Sequence, residues 1–136
     1  MKLNEKELKK KLTPKQYKVL REKSTELPFT GKLLNNKEEG MYVCPVCSNK
    51  LFSSETKFDS RTGWPSFDKA IPGAVKLVEE RGMFGKVTEA VCAKCGSHLG
   101  HVFDDGPTST GKRFCINSCA LEFEKPREKI DKTNKK

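Results

Sequence analysis

Apolar residues near the start of the chain fall at loosely helical spacing, Leu3, Leu8 and Leu12, among lysines and glutamates. A cleaner helix signal follows. Thr13 stands as an N-cap, Pro14 takes the first helical position, and Gln16 sits where a capping box wants Glu or Gln. This predicts a helix running to about Ser24, with Tyr17 and Leu20 on its apolar side. Thr30-Gly31 and Asn35-Asn36 mark loops. From Met41 onward the pattern changes to short β-like runs broken by Gly, Pro, Asn and Asp: Met41–Val43, Leu51-Phe52, Lys86–Val91, His101–Phe103, Lys112–Ile116 and Ala120–Phe123. Short strands with turn signals between them predict a mainly β, antiparallel domain preceded by helices. No internal repeat stands out beyond two similar cysteine knuckles.

A chain of 136 residues fits one domain with one hydrophobic core. No stretch approaches the roughly 18 apolar residues of a membrane helix. The opening Met-Lys-Leu-Asn-Glu-Lys carries no apolar run, so no secretory signal is visible and a cytoplasmic location is expected. There, six cysteines read as metal ligands or reactive thiols rather than a disulfide framework. The net charge of +9 invites a nucleic-acid reading, but its placement argues against one. Residues 1–25 hold nine Lys/Arg against three acids, residues 125–136 hold six against two, and the stretch between is nearly neutral. The expected organisation is a basic helical or frayed extension over 1–12, a domain over 13–124 and a basic tail over 125–136. The ends read as solvated, with weak electrostatic steering as the alternative.

Cys44-Pro-Val-Cys47 and Cys92-Ala-Lys-Cys95 are two CxxC pairs. A two-residue spacer lets the chain turn so that both thiolates point at one ion, and two knuckles supply four sulfurs of a closed tetrahedral site. Structural Zn²⁺ is the expected occupant, tying distant segments together with no open position for substrate. A redox CxxC, the rival reading, needs one reactive pair, usually opening a helix beside a strand.

Cys115 and Cys119 are left over. In an extended segment Arg113, Cys115 and Asn117 share one face while Phe114 and Ile116 take the other. A cation beside a thiol favours the thiolate, so Cys115 is a candidate nucleophile. Both histidines fall in the run His98-Leu99-Gly100-His101-Val102-Phe103-Asp104-Asp105-Gly106-Pro107, which suggests acid–base work with a thiol. With four thiolates available, ligation by His98 is not needed. Positions 98 and 101 cannot share a face of a regular strand, and Gly100 is a candidate bulge. The only tryptophan lies in Gly63-Trp64-Pro65-Ser66-Phe67, which reads as a loop presenting aromatic rings. Trp64 is then core, partner surface, or the wall of a pocket for a small apolar group.

Several separate segments together resemble the methionine-R-sulfoxide reductases of the MsrB type, from about Thr13 to Phe123. They are Glu39-Gly40-Met41-Tyr42 with the first knuckle, Lys57-Phe58-Asp59-Ser60, Gly63–Phe67, His98–Pro107 and Arg113-Phe114-Cys115-Ile116-Asn117-Ser118. The resemblance implies a β-tent-like fold, stapled by a zinc ion on four cysteines, with a shallow surface site. It aligns Cys115 with the catalytic cysteine, Trp64 with the ring against the substrate methyl, and His98, His101, Asp105, Arg113 and Asn117 with the polar shell. Phe103 joins Trp64 as a substrate-binding candidate. On this reading His101, oriented by Asp105 and its neighbours, donates a proton to the sulfoxide oxygen. Attack by Cys115 leaves a sulfenic acid that a thiol must resolve. The implied substrate is methionine sulfoxide in proteins or peptides, the implied role repair of oxidised protein, and the implied reductant thioredoxin. Neither nucleic acid nor a membrane is expected as a partner, and the chain is expected to act as a monomer.

This sequence departs from the family pattern at Thr62, where many members carry a resolving cysteine two residues before the tryptophan. Either an external thiol attacks the sulfenic acid, or Cys119 substitutes. Four residues of straight strand span about 13 Å, against the roughly 7 Å Cα separation a disulfide tolerates, so Cys119 reaches only if the chain folds back at Asn117-Ser118. Two rival classes remain: a zinc-ribbon nucleic-acid module, and a β-tent domain that only binds through Trp64.

Overall fold

A computed structural model describes residues 5–82 and 85–125. The reading of Leu3 lies outside them, as does all but the first residue of the basic tail. Helix α1 spans Glu5–Lys11 and buries Leu8, and Leu12 just beyond it is also buried. Helix α2 spans Pro14–Glu22 and has the full capping box. The Gln16 N–H donates to the Thr13 hydroxyl at 3.1 Å, and the Thr13 N–H donates to the Gln16 side-chain oxygen at 2.9 Å. Two orphan donors of the first turn are thereby satisfied. Val19 and Leu20 face the core. Lys23 closes the helix in a left-handed conformation, φ 60°.

The remainder is antiparallel β. A three-stranded sheet has the order β2 (Lys50–Ser53), β1 (Met41–Val43), β9 (Glu122–Glu124). A six-stranded sheet has the order β3 (Lys57-Phe58), β4 (Ser66-Phe67), β8 (Arg113–Ile116), β7 (His98–Phe103), β6 (Gly85–Cys92), β5 (Val75–Gly82). Aromatic rings join the two sheets. Phe52 stacks on Phe67 at 4.3 Å, Tyr42 meets Phe67 edge-on at 5.2 Å, and Phe52 meets Phe114 edge-on at 5.6 Å. Truncating one such ring costs about 3–5 kcal/mol. Alternation explains how β8 serves core and site at once: Phe114 and Ile116 are buried among these rings, while Arg113 and Cys115 are half-buried on the other face.

The mainly β, antiparallel expectation holds, with three strands it did not include and one displaced. Ser66-Phe67 form β4 where the Gly63–Phe67 segment reads as a loop, because pairing with β8 captures the residues directly after Pro65. The short β3 pairs with it. Strand β5 carries Lys76, Glu79 and Glu80, and its pairing with β6 rather than a clean apolar alternation makes it a strand. The last strand begins at Glu122, since Ser118–Ala120 make a 3₁₀ turn. Among the described residues no helix is long and apolar enough to cross a membrane.

Candidate active site and metal centre

The two knuckles have the same construction. In the first, the Cys44 N–H donates to the Asn49 carbonyl at 2.9 Å and the Ser48 N–H to the Cys44 carbonyl at 2.8 Å. In the second, the Cys92 N–H donates to the Ser97 carbonyl at 2.9 Å and the Gly96 N–H to the Cys92 carbonyl at 2.8 Å. Ser48 and Gly96 take the matching left-handed positions, φ 65° and 77°. The sulfurs of Cys44, Cys47, Cys92 and Cys95 all lie within 4.8 Å of one another, with Cys44–Cys95 at 3.7 Å and Cys47–Cys92 at 3.6 Å. A tetrahedral ion with metal–sulfur bonds of about 2.3 Å requires sulfurs about 3.8 Å apart, so the cluster fits a metal of that kind. The first knuckle joins β1 to β2 and the second joins β6 to β7. One ion there would pin the two sheets together.

A separate cleft of about 290 Å³ is lined by Trp64, His101, Phe103, Arg113, Cys115 and Asn117, together with Thr25, Thr62 and Gly100. Its floor follows from strand register. On β8, Cys115 lies directly opposite His101 of β7, and Arg113 opposite Phe103. Opposed residues of an antiparallel pair project to the same side of the sheet. A Cβ at Gly100 would overlap the Cys115 carbonyl oxygen, so only glycine lets β7 and β8 approach here. The pairing of β7 with β6 slips at this point. Ala90 faces Gly100 but Val91 faces His98, which leaves Leu99 as the extra residue of a bulge. The bulge brings the His98 and His101 rings to 5.4 Å, steeply inclined to one another at 69°.

Arg113 is held from two sides. Asp105 accepts from its Nε at 2.8 Å and from Nη2 at 3.1 Å, and the guanidinium lies over the Phe103 ring at 4.5 Å. Asp105 raises the Arg113 pKa, with a smaller contribution from Cys115, which lines the same cleft two residues on along β8. Arg113 in turn holds the Asp105 carboxyl below its usual range. Asp105 therefore orients Arg113, not His101 as the sequence suggested. Both its oxygens are taken by the bidentate pair, and the carboxylate bonded to the histidine pair is Glu89, with His98 Nδ1 and Glu89 Oε2 2.6 Å apart.

Trp64 is fixed by its indole N–H, which donates to the Glu26 carbonyl at 2.8 Å. The Glu26 N–H donates to Asn117 Oδ1 at 2.9 Å, and Asn117 Nδ2 donates to the Leu99 carbonyl at 3.0 Å. Buried Asn117 thus links the ring to the bulge, a positioning role. The Thr62 hydroxyl sits 3.6 Å from Cys115 Sγ. Cys119 does not share this cleft. It lines a cavity of about 530 Å³ with Thr13, Gln16, Leu33 and Glu122, and burial pushes its thiol up to about 11. Burial, then His98, holds the His101 pKa below its ordinary value, against an opposing pull from Glu80 and Glu89.

The sequence reading missed Glu26, Thr25 and Glu89. Nothing local marks the 24–30 segment as part of a site. Glu89 did leave a signal: it stands in strand register with Val87 and Val91, a charge on an apolar face.

The SelR domain matches residues 12–125. The peptide methionine sulfoxide reductase MsrB of Methanosarcina barkeri is 56% identical over 126 residues, covering 92% of this chain and 89% of that protein. The mitochondrial methionine-R-sulfoxide reductase B2 of Homo sapiens is 52% identical over 130 residues, covering 90% of this chain and 71% of that protein.

Proposed function

This chain belongs to the SelR-domain family, with MsrB proteins among its relatives, and we propose that it reduces methionine R-sulfoxide to methionine with Cys115 as nucleophile. The observation that carries the reading is Cys115 opposite His101 in a cleft walled by Trp64, with Arg113 lining the same cleft. The Cys115 thiolate attacks the sulfoxide sulfur. His101 protonates the sulfoxide oxygen so that its S–O bond can break. That oxygen, as hydroxyl or water, passes to Cys115 Sγ while the S–S bond made by the attack opens and releases methionine. Thiolate, sulfoxide and one proton become thioether and sulfenic acid. The sulfoxide sulfur gains two electrons and the Cys115 sulfur loses two.

Trp64 and Phe103 grip the methyl end of the substrate, and Arg113 holds negative charge near Cys115. A cleft of about 290 Å³ suits one side chain displayed by a protein or peptide, not a large cofactor. We assign Zn²⁺ to the four-cysteine cluster, where it binds Cys44, Cys47, Cys92 and Cys95 and supplies structural cross-linking only. Recycling falls to an external thiol, thioredoxin being the natural one. Thr62 beside Cys115 cannot form a disulfide, and Cys119 opens into the other cavity. The reading extends to repair of oxidised protein by a cytoplasmic monomer, with residues 13–124 as the catalytic domain between two basic ends. The test is turnover of a methionine-R-sulfoxide peptide with dithiothreitol. Wild type is expected to be active and Cys115→Ser inactive. Activity surviving in the variant rejects the nucleophile, and no activity in either rejects the enzyme.

A further inference from the structure

The histidine pair has a buried carboxylate behind it that the cleft itself does not contain. Glu89 is 1% exposed and lies opposite His101 in the β6–β7 register, so its side chain enters the same face. Its Oε2 is 2.6 Å from His98 Nδ1, and its Oε1 is 3.3 Å from Lys23 Nζ. Lys23, at the C-terminus of α2, also bonds Glu80 of β5 at 2.8 Å. Outward from the site the order is therefore Cys115, His101, His98, Glu89, Lys23, Glu80. His98 is itself buried, and its Nε2 has no hydrogen-bond partner among the described residues. A buried ring nitrogen without a partner is costly and calls for a purpose. Here it lies beside the His101 ring, 5.4 Å between centroids.

We propose that Glu89 is a positioning residue for the reaction, holding His98 by Nδ1 and keeping a proton on the histidine pair for His101 to deliver. The inference rests on the reading that His101 protonates the sulfoxide. That reaction consumes one proton per turnover at a half-buried ring, where burial works against protonation. A negative charge reaching in from β6 offsets that penalty. Glu89 bonds His98 on one side and Lys23 on the other, so its own charge is paired rather than stranded. Among the described residues, the titratable and charged groups around His101 are Cys115 across β8, His98 on its own strand, Glu89 across β6, Glu80 and Lys23 beyond it, and Arg113 in the same cleft. Lys23 opposes the two glutamates, which gives the proposal two variants of opposite sign.

The chain has only two histidines, so both imidazoles can be followed by ¹⁵N NMR without ambiguity. The experiment compares wild type, Glu89→Gln and Lys23→Gln with zinc bound, by NMR titration and by the pH dependence of kcat/KM. Removing the carboxylate is expected to move the His101 titration and the alkaline limb of kcat/KM to lower pH. At pH 8 the loss should be on the order of tenfold, below the roughly 10²–10⁴-fold that a positioned acid–base group itself contributes, because Glu89 acts through the histidines. Removing the lysine is expected to move both to higher pH. A residue needed only for packing would lower activity evenly and leave the limb in place. Unmoved titrations and limbs in both variants overturn the inference. Lys23 is exposed, so Lys23→Gln decides the matter even if Glu89→Gln does not fold. The NMR arm needs no substrate: an inactive wild type rejects the reading of the reaction, whereas unshifted imidazoles reject the role of Glu89.

Discussion

Replacing Asn117 by alanine separates its positioning role from a chemical one, and the cost follows from its bonds. The Leu99 carbonyl accepts from both Asn117 Nδ2 and the Asn117 backbone N–H, at 3.0 and 2.9 Å, so it keeps a partner after truncation. That lost bond is worth about 0.5–1.5 kcal/mol. The Glu26 N–H has Asn117 Oδ1 as its bond, and Glu26 is buried although its chain neighbours are exposed, so the N–H is left orphaned at about 1–3 kcal/mol. The expected loss is about 1.5–4.5 kcal/mol, a large share of the roughly 5–15 kcal/mol typical of a domain. Because the Glu26 carbonyl holds the Trp64 indole, the same change should free that ring and raise KM more than it lowers kcat. Urea unfolding of the zinc-bound protein measures the first effect. Fluorescence of the single tryptophan, with steady-state kinetics, measures the second. A loss under about 1 kcal/mol with unchanged fluorescence and KM would refute the chain from Asn117 to Trp64.

Three further outcomes are expected. Metal analysis should find one zinc per chain, and a strong chelator should abolish cooperative unfolding, since structural zinc contributes about 10–16 kcal/mol, as much as a whole domain's stability; a chelated protein with unchanged urea midpoint would remove the staple. Thr62→Cys places a thiol where an oxygen now lies 3.6 Å from Cys115 Sγ, so one turnover without reductant should convert that pair to a disulfide, seen as a mass loss of two hydrogens; two intact thiols would contradict the geometry. Burial holds the Cys119 thiol at about 11 in the folded chain, so folding retains a proton that the unfolded thiol releases. Its stabilising contribution is full below the unfolded pKa of about 8.5 and is lost as pH rises through 11, and Cys119→Ala should flatten the alkaline fall of Tm relative to wild type.

What could be read without coordinates was what depends on near neighbours in sequence. The capping box at Thr13 and Gln16 needs four consecutive residues, each knuckle needs six, and the opposite faces of Phe114 and Cys115 follow from alternation within one strand. A bulge between His98 and His101 was legible too, because two histidines three apart cannot otherwise meet on a strand, but it was expected at Gly100, whereas the β6–β7 register pairs Gly100 and makes Leu99 the extra residue. What escaped depends on register between distant segments. Asp105 is close in sequence to His101, yet the β7–β8 pairing hands it to Arg113, whose planar fork takes both oxygens. The contact of Glu26 with Asn117 joins residues 91 apart through an irregular segment. Strand β5, with its charges, becomes a strand by pairing with β6.

The central claim is that the Cys115 sulfur becomes the oxidised atom when sulfoxide is reduced. Mass spectrometry after a single turnover, without reductant and with a sulfenic-acid trap, tests it at the atom concerned. The trap should label Cys115 alone, with one methionine formed per label, and Cys119→Ser should behave as wild type. Methionine formed while Cys115 stays a free thiol would contradict the account.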